Sequence, residues 1–250
     1  MSVRALEGAA PAAAEYYWDA VAKTAMGRYV TEIETAFIEQ AIDQLDRPPA
    51  VAVDAGAGSG RLTRLLAARA GRVIATEAKQ ELIAPLSKIA PNVTPQLVSP
   101  GSVALPLQDE SADIVIAIEA AALTHSPEFH RECTRVLRPG GVFVLTLQNR
   151  GSWKGLLARL RRRHYRAEHG ATYYTWSFGD LKRSLSDAGL RVSGATGFNW
   201  LPFVRDSDSG LVGPLSTVES ALGLRKLASV SPWVLVAARR EPSASASREA

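Results

Sequence analysis

Cysteine is almost missing from this chain. Cys133 stands alone among 250 residues, so no internal disulfide can form, and no Cys/His cluster has the spacing of a structural zinc site. A reducing, cytoplasmic setting is the expectation. Long apolar runs are also missing: the most apolar stretch, Ile114 to Leu123, already contains Glu119 and is half the length of about 20 residues that a membrane span needs. The Ala/Pro-rich start is broken by Glu7 and lacks the apolar centre of a secretory signal. Nor is apolar residue scarce, at 46% hydrophobic against 22% charged, which excludes a mainly disordered, collagen-like or coiled-coil chain. What remains is a globular chain long enough for one large domain with a cap.

The formal net charge of +4 is local in origin. Seven basic residues (Arg150, Lys154, Arg159, Arg161, Arg162, Arg163 and Arg166) and no acidic one lie between 150 and 166, so the rest of the chain is net negative. In the same stretch Trp153, Leu156, Leu157 and Leu160 fall on one helical face. That pattern fits a lid on a binding site, an interfacial helix reaching a lipid-like substrate, or a nucleic-acid footprint.

Residues 1–14 and 241–250 are rich in Ala, Pro, Ser and Glu without periodicity and read as tails. Between Tyr16 and Leu45 the apolar residues Ile33, Phe37, Ile38, Ala41 and Ile42 recur at helical spacing until Arg47-Pro48-Pro49 stops them, which predicts a helical cap over 1–48. From Ala50 short β-rich runs alternate with amphipathic helices. Strands are predicted at 51–54, 73–76, 93–98, 114–118 and 142–147, and helices at 61–70, 79–89 and 127–137. Such alternation implies crossover units and a parallel sheet. After a basic insertion at 151–177 come a helix at 178–188, a strand at 191–196, an irregular Gly/Pro-interrupted insertion at 200–231 and a last strand at 233–238. The two late strands lack a crossover helix, so they are expected to pair antiparallel at the sheet edge. One domain then covers 49–240.

Asp54-Ala55-Gly56-Ala57-Gly58-Ser59-Gly60 follows the first strand directly and precedes a helix. Open α/β sheets bind ligands there, at the carboxyl ends of their strands. Glycines at alternate positions let the backbone approach a ligand, and the helix adds unpaired N–H groups. Because the residue three after Gly58 is Arg61, this is not the dinucleotide fingerprint, and no Gly-Lys-Ser/Thr follows to make a P-loop.

With its D-x-G-x-G-x-G loop, Glu77 at the end of strand two, Leu105-Pro106, Asp113 opening strand four and Arg135-Val136-Leu137-Arg138-Pro139-Gly140-Gly141 before strand five, the sequence resembles the class I S-adenosylmethionine-dependent methyltransferases, particularly small-molecule enzymes of the type 11 group. The resemblance covers residues 49–150 well and 173–199 weakly. It implies a doubly wound, Rossmann-like sheet of seven strands, mostly parallel with an antiparallel edge strand, plus the N-terminal helical cap. It also implies methyl transfer from S-adenosylmethionine, leaving S-adenosylhomocysteine. Asp54, Gly56, Gly58 and Gly60 would line the methionine part of the cofactor, Glu77 would hold both ribose hydroxyls, and Ala78 would pack beside the adenine. Where the family commonly has Gly-Asp after strand three, this chain has Gly101-Ser102, so Ser102 takes the adenine position.

Displacement at a sulfonium needs alignment and exclusion of water, and a base only where the acceptor must lose a proton. By resemblance Glu119 would lie near the sulfonium, and His125 stands near the position of a family histidine after strand four. Both are candidate catalytic residues, with Asn149 and Arg150 at the end of strand five. His130, between helical charges, reads as part of a solvated face. Tyr17, Tyr29, Asn149, Trp153, Trp176 and Trp200 are candidate acceptor contacts, with Tyr16, Trp18, Phe178 and Phe203 nearby, while His164 and His169 fall in the basic insertion. The acceptor is expected to be a small molecule, aromatic or lipid-like, with peripheral membrane contact as a further option. Nucleic acid is less supported. Glu119-Ala120-Ala121 replaces the Asn/Asp-Pro-Pro-Tyr/Phe of adenine amino-methylation, and Cys133 lies in a helix rather than after a loop proline. A non-catalytic binding module on the same fold is the remaining alternative.

Overall fold

The computed structural model describes residues 17–160 and 173–241. Two helices, α1 (Tyr17–Lys23) and α2 (Ala25–Asp43), precede the sheet. The single helical segment read from the sequence is broken at Thr24, whose side chain accepts the Gly27 N–H at 3.0 Å as the cap of α2. A side chain on Gly27 would collide with the Val21 carbonyl, so only glycine lets the two helices cross there.

The sheet contains β1 (Val51–Ala55), β2 (Arg72–Glu77), β3 (Val93–Leu97), β4 (Ala112–Ala117), β5 (Leu137–Gln148), β6 (Leu190–Phe198) and β7 (Trp233–Arg240), in the spatial order β3-β2-β1-β4-β5-β7-β6. β1 to β5 are parallel, joined through α3 (Arg61–Arg69), α4 (Gln80–Leu86), α5 (Ala121–Thr124) and α6 (Pro127–Val136). β5 begins earlier than its apolar run, because Leu137 already pairs with Ala112 and the Pro139-Gly140-Gly141 turn is absorbed as a register shift. β7 runs antiparallel to both β5 and β6, so the last two strands do form an antiparallel pair at the edge.

Alternate residues face opposite layers, as the two-residue period of a strand requires. Ile114, Ile116, Val142 and Val144 pack under α2 and α3, while Val115, Ala117, Phe143 and Leu145 pack against α6 and against Leu181 and Leu185 of α8 (Phe178–Asp187). The basic stretch contributes α7 (Trp153–Leu160). The 200–231 insertion, expected to be irregular, holds α9 (Val212–Ala221) and a short 3₁₀ turn at Leu224–Lys226. Its helical period was hidden because Gly213 and Pro214 occupy the first turn and apolar residues surround it.

Asp113 ties the opening of β4 to its neighbours. Its Oδ2 accepts the N–H groups of Ala50 at 2.8 Å and Val51 at 2.9 Å, and Oδ1 pairs with Arg138 and, at 3.2 Å, with Arg47. Burial alone would raise this carboxyl, but the Val51 N–H and the Arg138 guanidinium outweigh it and hold Asp113 below the usual range.

Candidate active site

Strand order reverses between β1 and β4, and a ligand crevice opens at such a point outside the carboxyl ends. Here it is a cavity of about 250 Å³, lined by Asp54, residues 56–59, Arg61 and Leu62, by the ends of β2 and β4 and by the loop after β3.

The floor follows from the glycine loop. Gly56, Gly58 and Gly60 all have positive φ (79°, 57° and 86°), and the N–H groups of Gly56 and Ala57 both donate to the Thr76 carbonyl, at 3.0 and 2.9 Å. Asp54 is buried beneath the loop and accepts from Thr63 Oγ1 at 2.6 Å. Burial raises it to about 6, against the lowering effects of Thr63 and Arg61. Glu77 closes one wall: Oε2 accepts the Gly58 N–H at 2.8 Å, and Oε1 accepts those of Ala78 at 2.8 Å and Lys79 at 3.0 Å. Ala78 and Ser102 line the same end, and Ser102 Oγ accepts the Ala104 N–H at 3.3 Å.

At the opposite end Glu119 has a positive φ of 55° and forms a two-contact pair with Arg205, Nη2–Oε1 at 2.9 Å and Nε–Oε2 at 3.4 Å. Arg61 Nη2 is 2.7 Å from Glu34 and 3.9 Å from Glu119. Glu34 is fully buried on α2, and burial together with the Glu119 charge lifts it to about 7 despite Arg61 and Arg205. Asp19 of α1 accepts from Ser59 in the glycine loop. The cap is thus attached to the cavity at two points, Asp19–Ser59 and Glu34–Arg61, and the segment after β6 is attached through Arg205–Glu119.

Of the candidate cofactor residues, Asp54, Gly56, Gly58, Glu77, Ala78, Ser102 and Glu119 line one cavity, whereas Gly60 does not: a Cβ there would meet Leu86 and Ile89 instead. The acceptor candidates are dispersed. Tyr29 is buried, bonded to Glu219 at 2.7 and 2.8 Å, and burial with the Glu219 charge raises its pKa. Asn149 spends its side chain on the carbonyls of Ser229 and Ser231 and the N–H groups of Gly151 and Phe178. Trp153 is exposed, and Trp176 stacks on His125 with centroids 5.6 Å apart. Trp200 is half-buried, and its backbone N–H donates to Glu219 Oε2 at 3.2 Å. None of these lines the cavity, nor does His125, whose Nδ1 lies 3.2 Å from Thr175 Oγ1. Arg150 pairs with Asp180. Tyr17 opens α1, but its side chain and that of Trp18 lie outside the described residues, as do Tyr16, residues 161–166, His164 and His169. Asp19, Arg61, Arg205 and Tyr173 are cavity residues that sequence reasoning missed. Arg61 alone carried a signal, its place directly after Gly60.

His130 is a correction. Far from lying on a solvated face, it is fully buried between Ser184 Oγ at 2.9 Å and the Thr124 carbonyl at 3.1 Å. The charges of Arg131 and Glu132 point elsewhere on α6, one position being enough to turn a helix face by 100°. Burial lowers His130 to about 4. A folded value below the unfolded one of 6.5 means that stability is present above pH 6.5 and lost as pH falls toward 4. Urea titrations at pH 7.5 and 5 should therefore show a loss of about 2 kcal/mol that His130→Gln does not share; equal losses in both proteins would place the titration elsewhere.

Residues 53–145 match the family model described as a methyltransferase domain. A Mycolicibacterium smegmatis protein named as an S-adenosylmethionine-dependent methyltransferase is 37% identical over 100 residues, 39% of this chain and 38% of its own. An uncharacterised methyltransferase-like protein of Schizosaccharomyces pombe is 29% identical over 135 residues, 52% of this chain and 51% of its own. The chain therefore spans about half the length, or less, of these curated relatives. A chain in the complex between the Haloferax volcanii Trm112 methyltransferase activator and a methyltransferase superposes with a TM-score of 0.60 at 18% identity, covering 92% of this chain and 100% of that one. Identity that low speaks for the fold alone.

Sheet order, glycine loop and family match together define a class I methyltransferase fold. Over residues 53–145 the chain is similar to the S-adenosylmethionine-dependent methyltransferases. The residues present fit that cofactor. Acidic Asp19, Asp54, Glu77 and Glu119 line the cavity and favour a cationic sulfonium, a carboxylate at the end of β2 suits a vicinal diol, and the positive-φ glycines keep the floor free of side chains.

Proposed function

We propose that this chain transfers a methyl group from S-adenosylmethionine to an O, N or C atom of a small, hydrophobic acceptor, chiefly by proximity and orientation. The observation that carries the reading is the convergence of the glycine loop, Glu77, Ser102 and Glu119 on one cavity at the switch point of the sheet. In this reading Gly56 and Gly58 give the methionine portion a backbone wall, Glu77 orients the ribose, and Ala78 and Ser102 flank the adenine. Glu119 places a carboxylate near the sulfonium, and the cofactor when bound supplies an activated methyl group on a good leaving group.

Asp19 of the cap and Arg205 of the segment after β6 exclude water and fix the angle of approach. With His125 outside the cavity, no proton relay is assigned to it. Titration calorimetry with S-adenosylhomocysteine should give binding to the wild-type chain and none to Gly58→Val, because a β-branched residue at φ 57° disrupts the loop. A screen of hydrophobic acceptors with methyl-labelled cofactor then tests transfer. Cofactor binding without transfer to any acceptor would leave a binding module; unchanged affinity in Gly58→Val would overturn the site assignment.

A further inference from the structure

Helices normally bury their apolar side chains and expose their charges. Two helices here leave large apolar side chains in solvent, although α9 also buries Val212. α7 packs inward through Gly155 and Ala158, and a Cβ on Gly155 would stand 2.5 Å from the Arg150 carbonyl oxygen, so the docking depends on a missing side chain. Its bulky residues Trp153, Leu156 and Leu160 face solvent, Leu160 at 71% exposure. α9 buries Glu219 and exposes Val218, with Leu211 and Leu222 exposed at its ends, Leu222 at 68%. Of the ten large hydrophobic side chains exposed among the described residues, nine belong to α7, to Val204 or to residues 211–230; only Leu97 lies elsewhere.

A buried polar cluster sets these elements side by side. Lys154 of α7 donates to Asn199 Oδ1 at 2.8 Å, and the Asn199 N–H donates to Tyr29 Oη at 2.9 Å. Tyr29 in turn bonds Glu219 of α9, which also pairs with Arg225 at 3.4 Å. Asn149, just before α7, holds the Ser229 carbonyl at 2.9 Å. The apolar rim reaches the cavity as well, because exposed Val204 directly precedes Arg205 in the cavity wall.

We infer that the rim formed by α7, Val204, α9 and residues 222–230 is a docking surface for an anionic lipid bilayer, from which a membrane-resident amphiphile reaches the cavity. The clause about the acceptor rests on the proposed function; the docking does not. Charge complementarity decides the occupant. Residues 150–160 and 204–230 carry six basic residues (Arg150, Lys154, Arg159, Arg205, Arg225 and Lys226) against three acidic ones, Asp206, Asp208 and the buried Glu219. Apolar side chains beside lysine and arginine are the pattern of interfacial binding to anionic headgroups. A second copy related by a two-fold axis would set like charges against each other.

The test is flotation of the full chain with vesicles of phosphatidylcholine alone and of phosphatidylcholine with 30% phosphatidylglycerol. Binding to the anionic vesicles, weakened at 0.5 M salt, is expected. The pair Leu156→Ser/Leu160→Ser and the pair Val218→Ser/Leu222→Ser should each lower partitioning at least tenfold, and Arg159→Gln and Lys226→Gln roughly fivefold each. S-adenosylhomocysteine affinity should stay unchanged in all four, which reports an intact fold and cofactor site. The inference is overturned if the wild type stays with neither vesicle, or if only the charge variants lose binding. A wild-type dimer that the serine variants dissociate would also overturn it, since a second copy would then own the face. Vesicle binding without methyl transfer would count against the proposed function and leave the docking intact.

Discussion

Exchange of Asp113 for alanine is expected to destabilise the chain by about 3–5 kcal/mol, the usual cost of removing one partner from a buried ion pair. The change leaves the Arg138 guanidinium, only 14% exposed, with the exposed Asp46 as its one carboxylate partner, and leaves the N–H groups of Ala50 and Val51 without their acceptor where β1 starts. Denaturant titration should show the loss at pH 7.5, and a midpoint within 0.5 kcal/mol of wild type would refute the assignment. The pH dependence has a definite sign. A carboxyl held below its unfolded value contributes stability above that value and loses it as pH falls through the depressed one. Asp113→Ala should therefore be less acid-sensitive than the wild type, though weaker overall.

Glu77→Ala should lower affinity for S-adenosylmethionine at least tenfold. Hydrogen bonds to a charged group contribute about 1.5–3 kcal/mol each, and 1.4 kcal/mol is a factor of ten. The structure adds a second reason for a large effect. Glu77 also receives the N–H groups of Gly58, Ala78 and Lys79, so its loss loosens the glycine loop and the turn after β2 together. Glu77→Gln retains one acceptor oxygen for the turn and should fall between the two. Calorimetric affinities for the three proteins check this, with thermal unfolding to confirm that each is folded. If Glu77→Ala binds as tightly as the wild type, the ribose acid lies elsewhere.

Local signals made the first half of the molecule legible. Each of β1 to β5 carries a short β-branched run, and α3 and α6 have one-sided apolar patterns. The floor of the cavity was legible for the same reason, since Asp54 to Gly60 are contiguous and Glu77 ends the next strand. Residues at the cap were not. Asp19, Glu34 and Arg205 are far apart in the chain and follow no motif; they meet at Ser59, Arg61 and Glu119 only because α1, α2 and the segment after β6 converge over the sheet. His130 was misread because charge along a sequence says nothing about which helical face a neighbour occupies.

From the sequence alone, then, came the alternating fold, the glycine loop and the acid that follows it, because period, turn chemistry and strand order are local properties of the chain. Which side chains enclose the acceptor end, which ionisable groups are buried, and which apolar helices are left uncovered were decided by tertiary packing. Trp153 and Leu160 have the same helical pattern whether they face a core or water, and only the small residues Gly155 and Ala158, chosen for contact, turn them outward. Contacts between residues remote in sequence depend on how whole elements are placed, and no local pattern encodes that placement.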